Sequence, residues 1–507
     1  MLTTLDVKSQ EHGKLARPRL LAAAACLLLL AQAVILFQTR WVEDESWYSD
    51  SGGTFAREGR LRLSSFPERD YFSQVDTRPP AMPLSLALSF RLFGMDVWQA
   101  RLFSLASSVA AVFLVFLLGA ELVNAWVGVA AAFLLAADNF VFSAARTARP
   151  EAFILVLFTA ALYFYVRSRR RNSIPLAMLS GLSVGLAFNF HVNGIGVAAA
   201  LGVFMLVEFG TSVWRQARVW AVAGVAALML VPFVLWIGTD PVHYAAFQDL
   251  YIKRATAPYA VKLAAEKLRY ADFIGFGSQR VNLPLHIPYR IHIALALAAA
   301  AAILLAVRRW RPLGLCLCGA VLVNLLWWSS TINKTPRYFA DLAPLFALLL
   351  ASAAYELAGR PRWRLAALAA LALLIVTQVA GNVVLLAKYR NADYPAVARE
   401  LRRLIPPGAS AYGAITFWMA LNDRVYYSFD RAPFDYSISK LRPEYLILND
   451  RVMVHGVGYG ENEYEGLRRD WNAFAHEHAV LMGTVNNGFY GDLEIYRVPE
   501  FIPNPSR

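Results

Sequence analysis

Between about residues 20 and 386 the chain carries one apolar run of roughly 20 residues after another, the length a helix needs to cross a hydrocarbon core about 30 Å thick. Such runs fold as a helix bundle in lipid. The whole-chain balance agrees, because 58% of the 507 residues are hydrophobic and 17% are charged, too apolar for a soluble protein of several domains. A net charge of +13 would suggest nucleic acid in a soluble protein. Here the excess sits in short clusters at helix ends, where the preference for positive charge on the cytoplasmic side accounts for it, and no nucleic-acid role is assigned.

The three cysteines, Cys26, Cys316 and Cys318, fall inside apolar runs, so no disulfide framework follows from them. Cys316 and Cys318 are two apart on a helix and point to different sides, which argues against a metal pair. The first run, Leu20 to Phe37, is too long for a signal-peptide core and lacks a small-residue exit before Trp41, so it reads as a retained anchor.

Lys8, Lys14, Arg17 and Arg19 precede that run and place residues 1–19 in the cytoplasm. Spans near 20–37, 99–118, 122–138, 152–166, 174–189, 194–208, 219–237, 291–307, 313–330, 337–356 and 364–386 then make about eleven, with thirteen as an upper bound. The even-numbered loops are cytoplasmic on this threading, and they hold Arg167 to Arg171, Arg215 and Arg218, Arg308 to Arg311, and Arg360 to Arg364. Only the turn at Glu121 lacks a basic residue.

The predicted architecture is thus an all-α membrane domain over 20–387, with outer loops at 38–98 and 238–290, followed by a small α/β domain over 388–507 on the periplasmic or extracellular side. In the first loop Met82 to Phe93 is too short to cross and reads as an interfacial helix. The second interleaves Tyr, Lys and Arg, as in Tyr251 to Arg254 and Glu266 to Tyr270, a pattern that suits the headgroup layer. In the tail, Asp393 to Leu404 has a capped helical pattern. Ala409 to Ile415, Arg424 to Phe429, Tyr445 to Asn449, Ala479 to Val485 and Leu493 to Val498 have the content of strands.

Ionisable groups near the hydrocarbon boundary cost a few kcal/mol each, so clusters there are functional candidates. Asp44 and Glu45 follow the first span; Arg146, Arg149 and Glu151 precede the fourth; His191 and Asn193 lie between the fifth and sixth; Lys334 and Arg337 lie between the ninth and tenth. All line the outer face. A carboxylate pair facing several cations matches an acceptor to be deprotonated and a phosphate to be expelled, the two needs of sugar transfer from a lipid phosphate. Asp44 can act as the base, and Arg149, Lys334 and Arg337 can stabilise the departing phosphate. Plainer roles exist for each. Asp44 and Glu45 could be a solvated helix exit, Arg146 and Arg149 could anchor helix ends, Arg149 with Glu151 could be a structural pair, and His191 could be a packing residue. Trp327-Trp328 reads as part of an interfacial aromatic belt. Asp44, Glu45 and His191 have the oxygen and nitrogen atoms a divalent metal takes, but not a recognised ligand spacing, so no cofactor is predicted.

Asp44-Glu45-Ser46-Trp47-Tyr48, the Arg78-Pro79-Pro80 turn and Ala145-Arg146-Thr147-Ala148-Arg149-Pro150-Glu151 resemble the polytopic glycosyltransferases of the protein O-mannosyltransferase and aminoarabinose (lipid A) transferase superfamily. Lys334-Thr335-Pro336-Arg337-Tyr338 is similar to that superfamily's late motif. The resemblance implies the C-type glycosyltransferase (GT-C) fold, a bacterial member, and a polyprenyl-phosphate-linked sugar donor used with inversion. It implies Asp44 as the catalytic aspartate with Glu45 beside it, and Arg149, Lys334, Arg337 and Tyr338 at the donor phosphate. Arg78, Arg146, Glu151 and His191 would position substrates. The acceptor, whether lipid, protein or polysaccharide, has no signature in the tail. Two rival classes remain: a transporter or flippase of a lipid-linked or anionic substrate, which would favour interrupted helices and mid-span charge, and a non-catalytic receptor or assembly subunit whose function lies in the tail.

Overall fold

The computed structural model describes residues 16–66, 78–239, 241–242, 245, 258–264, 266–274, 290–330, 336–429, 434–449 and 461–501. Among them eight helices are long and apolar enough to cross a membrane. The pair Ala125–Ala137 and Asn139–Ala145, bent by 66°, makes a ninth if it is taken as one span, and the apolar helices Ile174–Phe190 and Ile291–Ala306 are shorter. Each of the predicted spans falls on one of these helices. The chain divides into two compact units, one made of Met1–Ile35, Arg78–Ala81 and Ser104–Leu385, the other of Leu36–Thr77, Met82–Phe103 and Leu386–Arg507.

The first unit is the helix bundle. Its helices approach closely where side chains are smallest: a Cβ added at Gly119 would lie 2.7 Å from Gly128 Cα, so Val97–Leu122 and Ala125–Ala137 meet backbone to backbone. The basic loops bind three acids. Glu121, in the turn that has no basic residue of its own, takes Arg167 at 3.0 Å and Arg170 at 3.5 Å. Glu208 pairs with Arg169 and accepts from the Tyr165 hydroxyl at 2.7 Å. Glu356 gathers Arg309, Arg360 and the Trp310 indole N–H.

The bend at Asp138 breaks the helical ladder, and a buried amide chain repairs it. Gln32 Nε2 donates to the Ala136 carbonyl at 3.3 Å and Asn382 Nδ2 to the Ala137 carbonyl at 3.0 Å. Asn382 also donates to Gln32 Oε1 and accepts from Asn139, while Asp138 Oδ1 caps the N–H groups of Phe140 and Val141. Without these partners the freed backbone groups would face lipid, where each costs several kcal/mol, on the order of the transfer of an amide to hydrocarbon.

The second unit is a mixed sheet of five strands with helices, as the tail predicts. The strands are β1 (Ser410–Gly413), β2 (Val425–Ser428), β3 (Tyr445–Asn449), β4 (Val480–Asn487) and β5 (Gly491–Arg497), in the order β2-β1-β3-β5-β4. β1 runs parallel to β2 and β3, whereas β5 runs antiparallel to β3 and β4. Every residue of β3 is buried, as a strand covered on both faces should be. Tyr412, Phe434, Leu446, Trp471 and Tyr496 form a core between the sheet and the helix Glu461–His478. The helix Tyr394–Leu404 is capped by Asp393, whose carboxylate accepts from the Ala396 N–H at 3.0 Å.

The segments Leu36–Thr77 and Met82–Phe103 belong to this same unit. The helix Glu43–Glu58 packs its Gly52-Gly53 step where nothing larger fits: a Cβ on Gly52 would lie 2.7 Å from Leu86 Cβ, and one on Gly53 2.9 Å from the Trp418 ring. Trp418 Nε1 donates to Ser64 Oγ at 3.0 Å, and the Tyr490 hydroxyl donates to the Trp41 carbonyl at 2.9 Å. The expected short helix at Met82 to Phe93 is present as Ala81–Phe93.

Candidate active site

Three carboxylates open the helix Glu43–Glu58, where the N-terminal end of the helix dipole favours negative charge. Their neighbours give them different tasks. Glu43 Oε1 accepts from the Trp47 indole at 3.2 Å. Glu45 is fully buried and receives the Arg101 guanidinium as a fork, Nε to Oε1 and Nη2 to Oε2, each at 2.8 Å. Its Oε2 also closes the helix start by accepting from the Val42 N–H at 3.2 Å. Arg101 spends its other N–H groups on the carbonyls of Phe37, Thr39 and Arg40, so all five donors are used. Asp44 sits between these two anchored neighbours and is half-buried. The pair Glu45–Arg101 therefore fixes the backbone on which Asp44 stands.

Two turns further on, Asp50 is fully buried and holds the following segment. It accepts from Ser64 N at 2.8 Å, Ser64 Oγ at 2.6 Å, Ser65 N at 3.0 Å and Ser65 Oγ at 2.6 Å. Burial pushes its carboxyl above the usual carboxylate range, against the pull of those four bonds.

In the helix bundle, Arg149 and Glu151 are both buried and in contact, with Nη2 to Oε1 at 2.8 Å and Nε at 3.1 Å from Oε2. Pro150 between them keeps the turn tight and starts the helix Glu151–Arg170. Arg337 is half-buried and lies within electrostatic reach of Glu151. Beside it the Tyr338 ring stands 6.0 Å from the His191 ring and 6.0 Å from Trp328. Asp341, in the first turn of the helix Phe339–Ala358, is also buried and close enough to Glu151 to sense its charge, and among the described residues neither of its oxygens has a hydrogen-bond partner. One patch of the bundle thus gathers Arg149, Glu151, Arg337, Tyr338, His191 and Asp341.

Other predicted residues take different places. Arg146 is buried with Nη1 donating to the carbonyls of Ala33, at 2.7 Å, and Ile35, so it satisfies the C-terminal end of the helix Ala16–Val34. His191 Nδ1 accepts from the Asn193 N–H at 3.1 Å, leaving the proton of the neutral ring on Nε2 and capping the turn Val192–Gly194. Arg78 is half-buried ahead of Ala81–Phe93. Lys334 lies outside the described residues, as do Tyr251, Lys253 and Arg254 of the second outer loop. Trp328 departs from the expected aromatic belt: it is 1% exposed and packs edge-on against Phe339, while its neighbour Trp327 is 40% exposed. A 100° step per residue along a helix separates the two rings. Among the described residues no three His, Cys, Asp or Glu side chains gather as a metal site.

Arg101, Asp50 and Asp341 were not singled out from the sequence. Arg101 stands at the edge of an apolar run, where a cation reads as a helix-end anchor; its partner is 56 residues away. Asp341 had a detectable signal, since a carboxylate inside an otherwise apolar run is costly.

The fold is of the GT-C kind, with a many-helix bundle and a small sheet domain. Residues 77–236 match the family described as dolichyl-phosphate-mannose-protein mannosyltransferase. Comparison with curated proteins gives no match. Among solved structures the chain is similar to ArnT from Cupriavidus metallidurans in the apo state, at 16% identity and a TM-score of 0.66, over 96% of this chain and 98% of that one. The same protein bound to undecaprenyl phosphate gives 15% identity and 0.65, over 97% and 99% of the two chains. The Archaeoglobus fulgidus oligosaccharyltransferase in the apo form gives 14% and 0.53, over 85% of this chain and 69% of that one. At these identities the likeness is one of fold.

Proposed function

We propose that this protein is a glycosyltransferase that moves a monosaccharide from a polyprenyl-phosphate-linked donor to an acceptor hydroxyl on the outer face of the cytoplasmic membrane. The observation that carries the reading is the gathering of Arg149, Arg337 and Tyr338 with Glu151 in a membrane bundle of this fold. Arg337 adds a second cation beside the Arg149–Glu151 pair, which suits the patch to an anion, and a lipid phosphate is the anion a membrane supplies. The relative that carries undecaprenyl phosphate supports that choice.

Asp44 is the base. It removes the proton of the acceptor hydroxyl as that oxygen bonds to the anomeric carbon, while the bond from that carbon to the phosphate oxygen breaks and the electron pair leaves with the lipid phosphate. Arg149, Arg337 and Lys334 stabilise the charge gathered there. Phosphate leaves without a general acid, so one carboxylate suffices. Glu45, with both oxygens held by Arg101, positions Asp44, and Glu151 orients Arg149. The acceptor, whether lipid, protein or polysaccharide, is met outside the membrane, and no metal is assigned a step.

The break at Asp138 favours transport, because discontinuous helices line many transporter sites. Transfer of radiolabelled sugar from polyprenyl-phosphate donors to a native membrane extract decides between them. The expected result is label moving with wild type and not with Asp44→Asn. Lipid crossing a reconstituted bilayer with no transfer by either protein would replace the enzyme with a flippase.

A further inference from the structure

Arg40 stands where the first span gives way to the helix Glu43–Glu58, at the level of the membrane–water boundary. Aromatic rings mark that level: Phe37 packs edge-on at 5.9 Å against Trp98, which is 41% exposed, and Tyr389 ends the long apolar helix Pro361–Tyr389. The Arg40 backbone is left-handed, with φ at 53°, a region that residues other than glycine rarely adopt. It is held there from both sides, its N–H donating to the Ala392 carbonyl at 2.7 Å and its carbonyl accepting from Arg101 Nη2 at 2.9 Å. Arg40 is 6% exposed, and its guanidinium lies 4.8 Å over the Tyr389 ring. Nε is buried with no partner, and among the described residues no carboxylate pairs with the group. Glu43, Asp44 and Glu45 follow closely in the chain, yet Glu45 is taken by Arg101 and Glu43 accepts from Trp47.

A guanidinium pinned in a strained turn and left without an anion is costly unless a ligand brings one. Lys388 and Arg390, exposed on either side of Tyr389 in the chain, add two cations at the same end of that helix. With residues 1–19 in the cytoplasm this is the outer end, where the preference for positive charge on the cytoplasmic side does not account for them. The anion a membrane presents at this depth is the phosphate of its lipids, and the fork of a guanidinium matches two phosphate oxygens. Three cations with no acid paired among them favour a headgroup that carries no positive charge of its own. Leu36, exposed at the close of the first span, offers an apolar surface to the acyl chain. The donor phosphate has its own cations in Arg149 and Arg337. We propose that Arg40, flanked by Lys388 and Arg390, binds the phosphate of an anionic phospholipid in the outer leaflet. The bound headgroup offsets the charge held in the turn and braces the entry to Glu43–Glu58. This reading stands apart from sugar transfer.

The test reconstitutes the full chain in phosphatidylcholine nanodiscs with added phosphatidylglycerol and counts retained lipid by native mass spectrometry. Wild type should keep phosphatidylglycerol in preference to phosphatidylcholine. Arg40→Gln should weaken that retention by about tenfold or more, the worth of one charge-assisted hydrogen bond. The double variant Lys388→Gln with Arg390→Gln changes exposed side chains only, should weaken it by about fivefold or more, and carries the test if Arg40→Gln fails to fold. Added polyprenyl phosphate should leave the phospholipid in place. Displacement by polyprenyl phosphate, which would give the site to the carrier lipid, overturns the proposal. So does a wild type with no preference between the two phospholipids, or unchanged retention in either variant that folds.

Discussion

Removing the Glu45 carboxylate should unfold the outer segment long before it touches chemistry, and the size of the effect can be worked from the contacts. Glu45 and Arg101 are both about fully buried, and breaking such a pair from one side costs roughly 3–5 kcal/mol because the other charge stays behind. Glu45→Ala should therefore destabilise by that amount. Arg101→Met should cost more, since it also strips the carbonyls of Phe37, Thr39 and Arg40, each worth about 1–3 kcal/mol when left buried and unpaired. The double variant should fall short of the sum by up to about 3 kcal/mol, the range of coupling for residues in contact. Asp44→Asn, one residue away and half-buried, should stay within about 0.5 kcal/mol of wild type. Unfolding of purified protein in detergent, followed through tryptophan emission, reports on this region because the Arg101 guanidinium lies 5.5 Å over the Trp41 ring. Strict additivity of the two single variants, or an Asp44→Asn as unstable as Glu45→Ala, would refute the division of labour between the two neighbouring carboxylates.

Three further outcomes follow from the geometry. Arg149→Ala should lower kcat/KM for a polyprenyl-phosphate donor by about 10²–10³, the usual cost of one donor to developing charge, whereas Arg146→Ala should lower the melting temperature with a smaller kinetic effect; steady-state kinetics beside thermal melts separate them. Because burial raises the Asp50 carboxyl, the folded state holds its proton more tightly than the unfolded chain, so its contribution is full below the ordinary aspartate value of about 4 and is lost as pH rises through the folded value. Asp50→Asn should flatten that fall in a melting-temperature series above about pH 4. Gly128→Val should destabilise by about 1–3 kcal/mol through overpacking, as its Cβ would lie 2.3 Å from the Phe116 carbonyl; an unchanged denaturant midpoint would argue against that helix crossing.

The spans and strands were legible because each is written locally. A run of apolar residues, a basic cluster at its end or a β-branched stretch needs no distant partner to be read, and even the Asp393 cap is set within three residues. What was not legible depends on partners far along the chain. The span read at 122–138 ends where expected, but the 66° turn into Asn139–Ala145 rests on Gln32 and Asn382, which no window around Asp138 contains. Arg146 reads as a substrate-positioning residue or as an anchor, and the carbonyls of Ala33 and Ile35 that it holds lie more than 100 residues away. Glu45 and Asp44 are adjacent letters with opposite fates because Arg101 reaches one of them.

The bond from Tyr490 to the Trp41 carbonyl joins residues 449 apart. During synthesis, Trp41 leaves the ribosome 449 residues ahead of Tyr490, with the apolar spans between them still to be made. The segment around Trp41 must therefore pass the insertion of those spans without this partner. Chains stalled before Tyr490 would present this unit unfinished to proteases, which ties the survival of the segment around Trp41 to the making of β5.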